Sequence, residues 1–120
     1  MVGPQTLEAL KQAAGPQDAA KLDRCPTLVV VSCLRAGDPV AAEEDLLATG
    51  VAAYIVLLAA HGRGLAGYWR TPALLRGPDG RRAAGLAEDE RFVGLLHIGR
   101  PVQRRGAPDR PAVETVSYLA

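Results

Sequence analysis

The chain has 120 residues, of which 48% are apolar and 22% charged, with a formal net charge of +1 at pH 7. That is enough for one compact domain with a single core, and too little for a second. The near-neutral balance supplies no global field to draw the protein onto nucleic acid or an anionic membrane. Twelve of the fourteen basic residues are arginine, which suits bidentate contact with anions, although a GC-rich genome gives the same bias. Cys25 and Cys33 lie eight positions apart, which is neither metal-ligand spacing nor a redox pair, so both read as buried or half-buried thiols. The opening MVGPQTLEALKQ lacks the basic-then-apolar order of a secretory signal. The longest nearly apolar run, Leu46 to Ala60, is shorter than the ~20 residues that cross a bilayer. A reduced, cytoplasmic protein with no membrane or nucleic-acid partner is the expectation.

Leu7, Leu10 and Ala14 recur at helical spacing between Thr6 and Ala14, and Gly15-Pro16 stops that helix. Ala19 to Arg24 carries another turn or two before Pro26 forces its predecessor out of helical geometry. Thr27 to Ser32 is β-branched and apolar without alternation, the pattern of a strand covered on both faces, as in a mixed sheet. Ala36-Gly37-Asp38-Pro39 reads as a loop. A long helix follows from Val40 or Ala41, with Glu43, Glu44 and Asp45 in its first turns, where acidic groups favour the helix dipole. Beyond them it is apolar on nearly every side, so protein must surround it. Ala48, Gly50, Ala52 and Ala53 would let another backbone approach, either within the monomer or across a subunit interface.

His61 to Gly64 ends that helix, with Gly62 or Gly64 as a left-handed cap. The string from Gly62 to Gly67 matches GxGxxG, but it follows a helix and precedes a strand. A dinucleotide fingerprint needs the reverse order, so the match is attributed to chance. Leu65 to Trp69 forms a short strand, and Thr71-Pro72 reads as N-cap and first position of a short helix through Leu75. Gly77 to Gly80 is a turn, Arg81 to Gly85 a further helical piece, and Glu88-Asp89-Glu90 a solvated loop. Arg91 to Gly99 is a strand. Residues 100–112 form an irregular arm, and 113–119 have the character of a terminal strand that must join some sheet edge.

No hydrolytic or metal site is apparent. His61 sits at a helix end and His97 inside an apolar strand, without ligand-spaced partners. Arg100, Arg104, Arg105 and Arg110 make a basic tail with no interleaved aromatics, which supports nucleic-acid binding only weakly. Trp69, Arg70 and Thr71 differ from these. A large plane, a fixed cation and a hydroxyl meet at one strand end, and such a corner either is structural or holds a planar anionic cofactor.

With these residues in view, the chain resembles the flavin-dependent nitroreductase family, especially its small bacterial branch. The match runs from Cys25-Pro26-Thr27 through the acidic-headed helix and HGRGLAGYWRTPAL to FVGLLHIGRPV. Ala66 stands where the second glycine of the family's GxGxxW is usual. The resemblance implies an α/β (α+β) nitroreductase-like fold, a mixed sheet flanked by helices with a long buried central helix. It also implies FMN, NAD(P)H as hydride donor, and a homodimer through the central helix Ala41–Gly62. Trp69, Arg70 and Thr71 match the family's flavin-contacting turn. Arg110 lies where many members keep an arginine for the FMN phosphate. Ala59, Ala60, His61, Gly62, Arg63 and Gly64 match a segment assigned to the nicotinamide cofactor. The family's leading R-x-S helix and P-S-x-x-N segment are absent, so the chain resembles the C-terminal half to two-thirds of such an enzyme, N-terminally truncated.

The functional expectation is an NAD(P)H-dependent FMN oxidoreductase that passes hydride to FMN and then to a nitroaromatic or quinone. No protein acid, base or nucleophile is required for that. Three alternatives stand beside it: a non-catalytic remnant or dimerising module without flavin, one chain of a two-chain enzyme, and a start codon placed downstream of the true one.

Overall fold

A computed structural model describes residues 1–35, 37–103, 106 and 108–113. Ala36 of the anticipated loop, two arginines of the basic tail and nearly all of the anticipated terminal strand lie outside these residues.

Helix α1 (Pro4–Ala13) and helix α2 (Pro16–Leu22) each begin with proline at the first helical position, after an extended glycine. Proline suits that position because its missing N–H would have no partner there anyway. Strand β1 (Thr27–Leu34) follows. Helix α3 (Pro39–Gly62) is then started by Asp38, whose carboxylate accepts the Ala41 N–H at 2.8 Å, a side-chain N-cap. Because the helix starts at Pro39, Glu43, Glu44 and Asp45 fall in its second turn rather than its first. They are exposed there, beyond most of the reach of the terminal dipole.

At its far end α3 closes on Gly64, which has φ +74°. The N–H of Leu65 donates to the carbonyl of Ala60 at 3.0 Å, and that of Gly64 to His61 at 2.9 Å. This paired closure needs a left-handed residue, and glycine takes that conformation without a Cβ penalty.

Strand β2 (Ala66–Arg70) leads to a 3₁₀ turn at Ala73–Arg76 and to helix α4 (Pro78–Ala84). Two local expectations are corrected here. Pro72 is extended and precedes the 3₁₀ turn, so Thr71 is no N-cap. Gly77 to Gly80 is no free turn either: Pro78 opens α4 as its first residue, the same proline-first start used by α1, α2 and α3. Strand β3 (Glu90–Gly99) completes the described elements.

The three strands lie in the order β1-β3-β2, and both pairings are antiparallel. Among the described residues the sheet is therefore antiparallel rather than mixed. Its β1–β3 register jumps between Val31↔Gly94 and Ser32↔Phe92, leaving Val93 as the extra residue of a bulge.

Side-chain alternation gives the sheet two unlike faces. Leu28 and Leu95 meet Leu10, Leu22 and Leu75 on the face covered by α1, α2, α4 and the 3₁₀ turn. Leu96, Ile98, Val29, Val31 and Trp69 meet Ala53, Leu57 and Ala60 of α3 on the other. The indole of Trp69 lies directly over Gly94, where any Cβ would collide with it. Only one stripe of α3 is covered in this way. Val51, Tyr54, Ile55 and Leu58 on its outer side are between 51% and 59% exposed, so the helix is not buried within the monomer. At 24 residues it is also long and apolar enough to cross a membrane by length and composition.

Candidate functional site

Trp69, Arg70 and Thr71 stand at the end of β2, which is an edge strand of the described sheet. Its partner on one side is β3, and among the described residues nothing pairs its outer edge. Half of its backbone N–H and C=O groups therefore remain available to a ligand. Alternation then separates its side chains. Gly67 and Trp69 face α3, while Tyr68 and Arg70 face the α2 side, opposite His97 and Leu95 in register. Trp69 and Arg70 are adjacent in sequence, yet they act on opposite sides of the sheet. Thr71 follows as an exposed residue just beyond the strand.

Arg70 is half-buried and makes no ion pair with another described residue. It lines a narrow cleft together with Asp18, Lys21 and Leu22 of α2, and with Pro72, Leu74, Leu95 and His97. Lys21 is already held by Asp18 at 2.7 Å. The Asp18 carboxyl is held below its ordinary value, chiefly by that hydrogen bond and more weakly by Arg70. His97 is only 3% exposed, and its Nε2 has no hydrogen-bond partner. Burial pushes the imidazole below its usual value, and the charges of Arg70 and Arg24 push it the same way.

The segment Ala59, Ala60, His61, Gly62, Arg63 and Gly64 forms the end of α3, before β2 begins. Ala60 is buried against the sheet, and the other five are exposed. Arg63 caps the helix by donating to the Ala59 carbonyl at 3.1 Å. This segment and Arg70 lie at opposite ends of β2, separated by roughly 3.3 Å of rise for each strand residue. Arg110 lies in the exposed irregular tail, and no bond to another described residue fixes it.

A second polar cluster carries structure. Glu90 is not part of a solvated loop, since β3 begins with it. Its carboxylate accepts Ser32 Oγ at 2.7 Å and the Ala87 N–H at 2.7 Å. Arg81 donates to the carbonyls of Ala87 and Glu90 at 2.6 and 2.9 Å. These bonds tie the entry of β3 to α4 and β1, and they hold the Glu90 carboxyl below its ordinary value, the Ser32 bond foremost. The sequence offered no signal for this cluster, because Ser32 and Glu90 meet only through the β1–β3 register. His97 did carry a signal: a lone ionisable side chain in the run Gly94 to Ile98, which is buried throughout.

The result is an antiparallel sheet with a long helix on one face, shorter helices on the other, and a cation at the open end of its edge strand. The Nitroreductase family model matches residues 3–100, and the chain belongs to that family. It is 33% identical over 79 residues to YdjA of Escherichia coli K12, a candidate NAD(P)H nitroreductase. That match covers 65% of this chain and 43% of YdjA, so it spans less than half the length of the curated relative. A nitroreductase-like family protein from Bacillus cereus superposes with TM-score 0.75 at 24% identity, over 98% of this chain and 70% of its own. NfnB, an FMN- and NADPH-dependent nitroreductase from Sphingopyxis sp. strain HMH, gives TM-score 0.53 at 21% identity, over 94% and 55%. The chain has the nitroreductase-like fold.

Proposed function

We propose that this chain is part or all of an NAD(P)H-dependent FMN oxidoreductase. One observation carries the reading. Within the residues matched by the family model, a half-buried arginine without an acidic ion-pair partner among the described residues stands at the open end of an edge strand, beside an exposed hydroxyl. A fixed guanidinium and free strand-edge amides suit a planar anionic cofactor. The residues therefore fit one side of an FMN site. Arg70 supplies charge, Thr71 a donor, and the outer edge of β2 its backbone N–H groups. Trp69 contributes its main chain and anchors the strand by packing its indole on Gly94. Arg110 is assigned to the phosphate. The exposed end of α3, residues 59–64, is assigned to the nicotinamide cofactor.

Bound FMN would supply the redox chemistry, taking hydride from NAD(P)H and delivering it to a nitroaromatic or quinone acceptor, while the protein binds and orients. No side chain of this chain is required as acid, base or nucleophile. The protein is further proposed to be cytoplasmic and homodimeric. The support for a dimer is the outer stripe of α3, a row of large apolar side chains of the kind that marks a protein interface. The inner stripe of the same helix already packs on the sheet.

The test is titration of FMN with the purified chain, followed by quenching of flavin fluorescence, with the mass in solution measured alongside. Saturable quenching is expected, and Arg70→Ala should weaken it by about tenfold, the value of one charge-assisted hydrogen bond. A folded chain that never quenches flavin would overturn the reading and leave the family assignment intact.

A further inference from the structure

The cleft between α2 and the β2–β3 pair combines two features that belong together. Its mouth is rich in donors: Arg70 brings five N–H groups and Lys21 three. Two residues with acceptor atoms line the same cleft, Asp18 and His97. Asp18 is engaged by Lys21 at 2.7 Å. That leaves Arg70 without an ionic partner among the described residues and Nε2 without a hydrogen bond. A buried polar atom left unmatched costs on the order of 1–3 kcal/mol, which is why such atoms are almost always satisfied, by solvent where protein does not reach. The volume open to a water's centre in the cleft is ≈ 10 Å³, about what a single molecule needs.

We propose that one internal water in this cleft links His97 Nε2 to the Arg70 guanidinium, making His97 the positioning residue for Arg70. The water donates to Nε2 and accepts from Arg70. His97 must then be neutral, with its proton on Nδ1. Arg70 of β2 and Arg24 of the α2–β1 link favour the neutral ring. Asp18 of α2, the carboxylate that lines the cleft and would favour the charged ring, is already held by Lys21 at 2.7 Å. The register neighbours of His97 are Tyr68 of β2 and Leu28 of β1. Protonating the ring would set an imidazolium facing Arg70 and remove the acceptor, so Arg70 would lose its anchor in acid. That consequence for the cofactor rests on the flavin reading given above; the coupling of His97 to Arg70 does not.

The experiment is ¹⁵N NMR of the two imidazoles in the full chain across pH 5–8, with His61→Gln assigning the signals. The Nδ1–H tautomer is expected for His97, and Arg70→Met should move its titration midpoint upward. An Nε2–H tautomer, or a midpoint unmoved by Arg70→Met, would overturn the proposal. FMN titration of His97→Leu and His97→Gln adds a second readout. Leucine should weaken binding about tenfold, and glutamine, which retains an acceptor, should recover most of that loss. Equal losses in both variants would count against positioning. NMR coupling without any flavin quenching would sustain the cleft and sink the cofactor reading instead.

Discussion

The two faces of the sheet solve the same problem in opposite ways. On one, Leu10 of α1, Leu75 of the 3₁₀ turn and Leu95 of β3 are 0–1% exposed and meet Leu28 of β1 and Leu22 of α2 in one cluster, with the alanines of α4 packed against it. The leucine core of that face is covered by the chain itself. On the other, α3 approaches through small residues, Ala53 at 3% and Ala60 at 7% exposed, so that its backbone lies close to the strands. Its large side chains, Tyr54, Ile55 and Leu58 among them, point outward. Among the described residues, α3 turns its alanines to its own sheet and leaves its large apolar side chains uncovered, the stripe assigned above to the proposed dimer. The difference teaches that an apolar helix can pack on its sheet through small residues while its larger apolar side chains stay uncovered.

The largest effect should come from opening the finished face. Leu75→Ala removes a side chain that is 0% exposed and should cost about 2–5 kcal/mol, read as a lower midpoint in urea. Overfilling the α3 face comes next. Gly94→Ala drives a methyl into the indole of Trp69 and should cost about 1–3 kcal/mol. Adding Trp69→Leu should recover part of that loss, and simple additivity of the two changes would show that the indole is not the obstacle.

A smaller, pH-dependent effect belongs to Glu90, which ties β3 to β1 at the end of the sheet. Its folded pKa lies below the ordinary value of 4.5. The stability it adds is therefore complete above 4.5 and is lost as pH falls through the folded value. Ser32→Ala and Glu90→Gln should both flatten this acid limb of the stability profile, and an unchanged limb would remove the cluster from the account. The least intrachain effect is expected at Ile55, 56% exposed. Ile55→Ser should leave secondary structure unchanged and reveal itself by a lower mass in solution and a concentration-dependent Tm. An unaltered mass would mean that the stripe serves something other than a second copy of the chain.

Much of this architecture was legible in the residues. The helical period of Leu7 and Leu10, the β-branched run after Pro26 and the apolar length of α3 placed those elements within a few positions. GYWRTPAL and VGLLHIGRP pointed to the family. Misreadings clustered where proline has two uses: Pro72 and Pro78 both follow small or polar residues, and only one of them opens a helix.

What the sequence by itself determined is what neighbours along the chain decide: where α3 stops, through the glycines at its end, and that a cation and a hydroxyl adjoin at residues 70 and 71. What only the tertiary structure decided is which side of the sheet each residue serves. A single extra residue, Val93, sets the register that brings Ser32 to Glu90 across 58 positions. Strand alternation sends Trp69 toward α3 and Arg70 toward His97. Those assignments depend on strand pairing between distant segments, and a strand shifted by one residue would reverse every one of them.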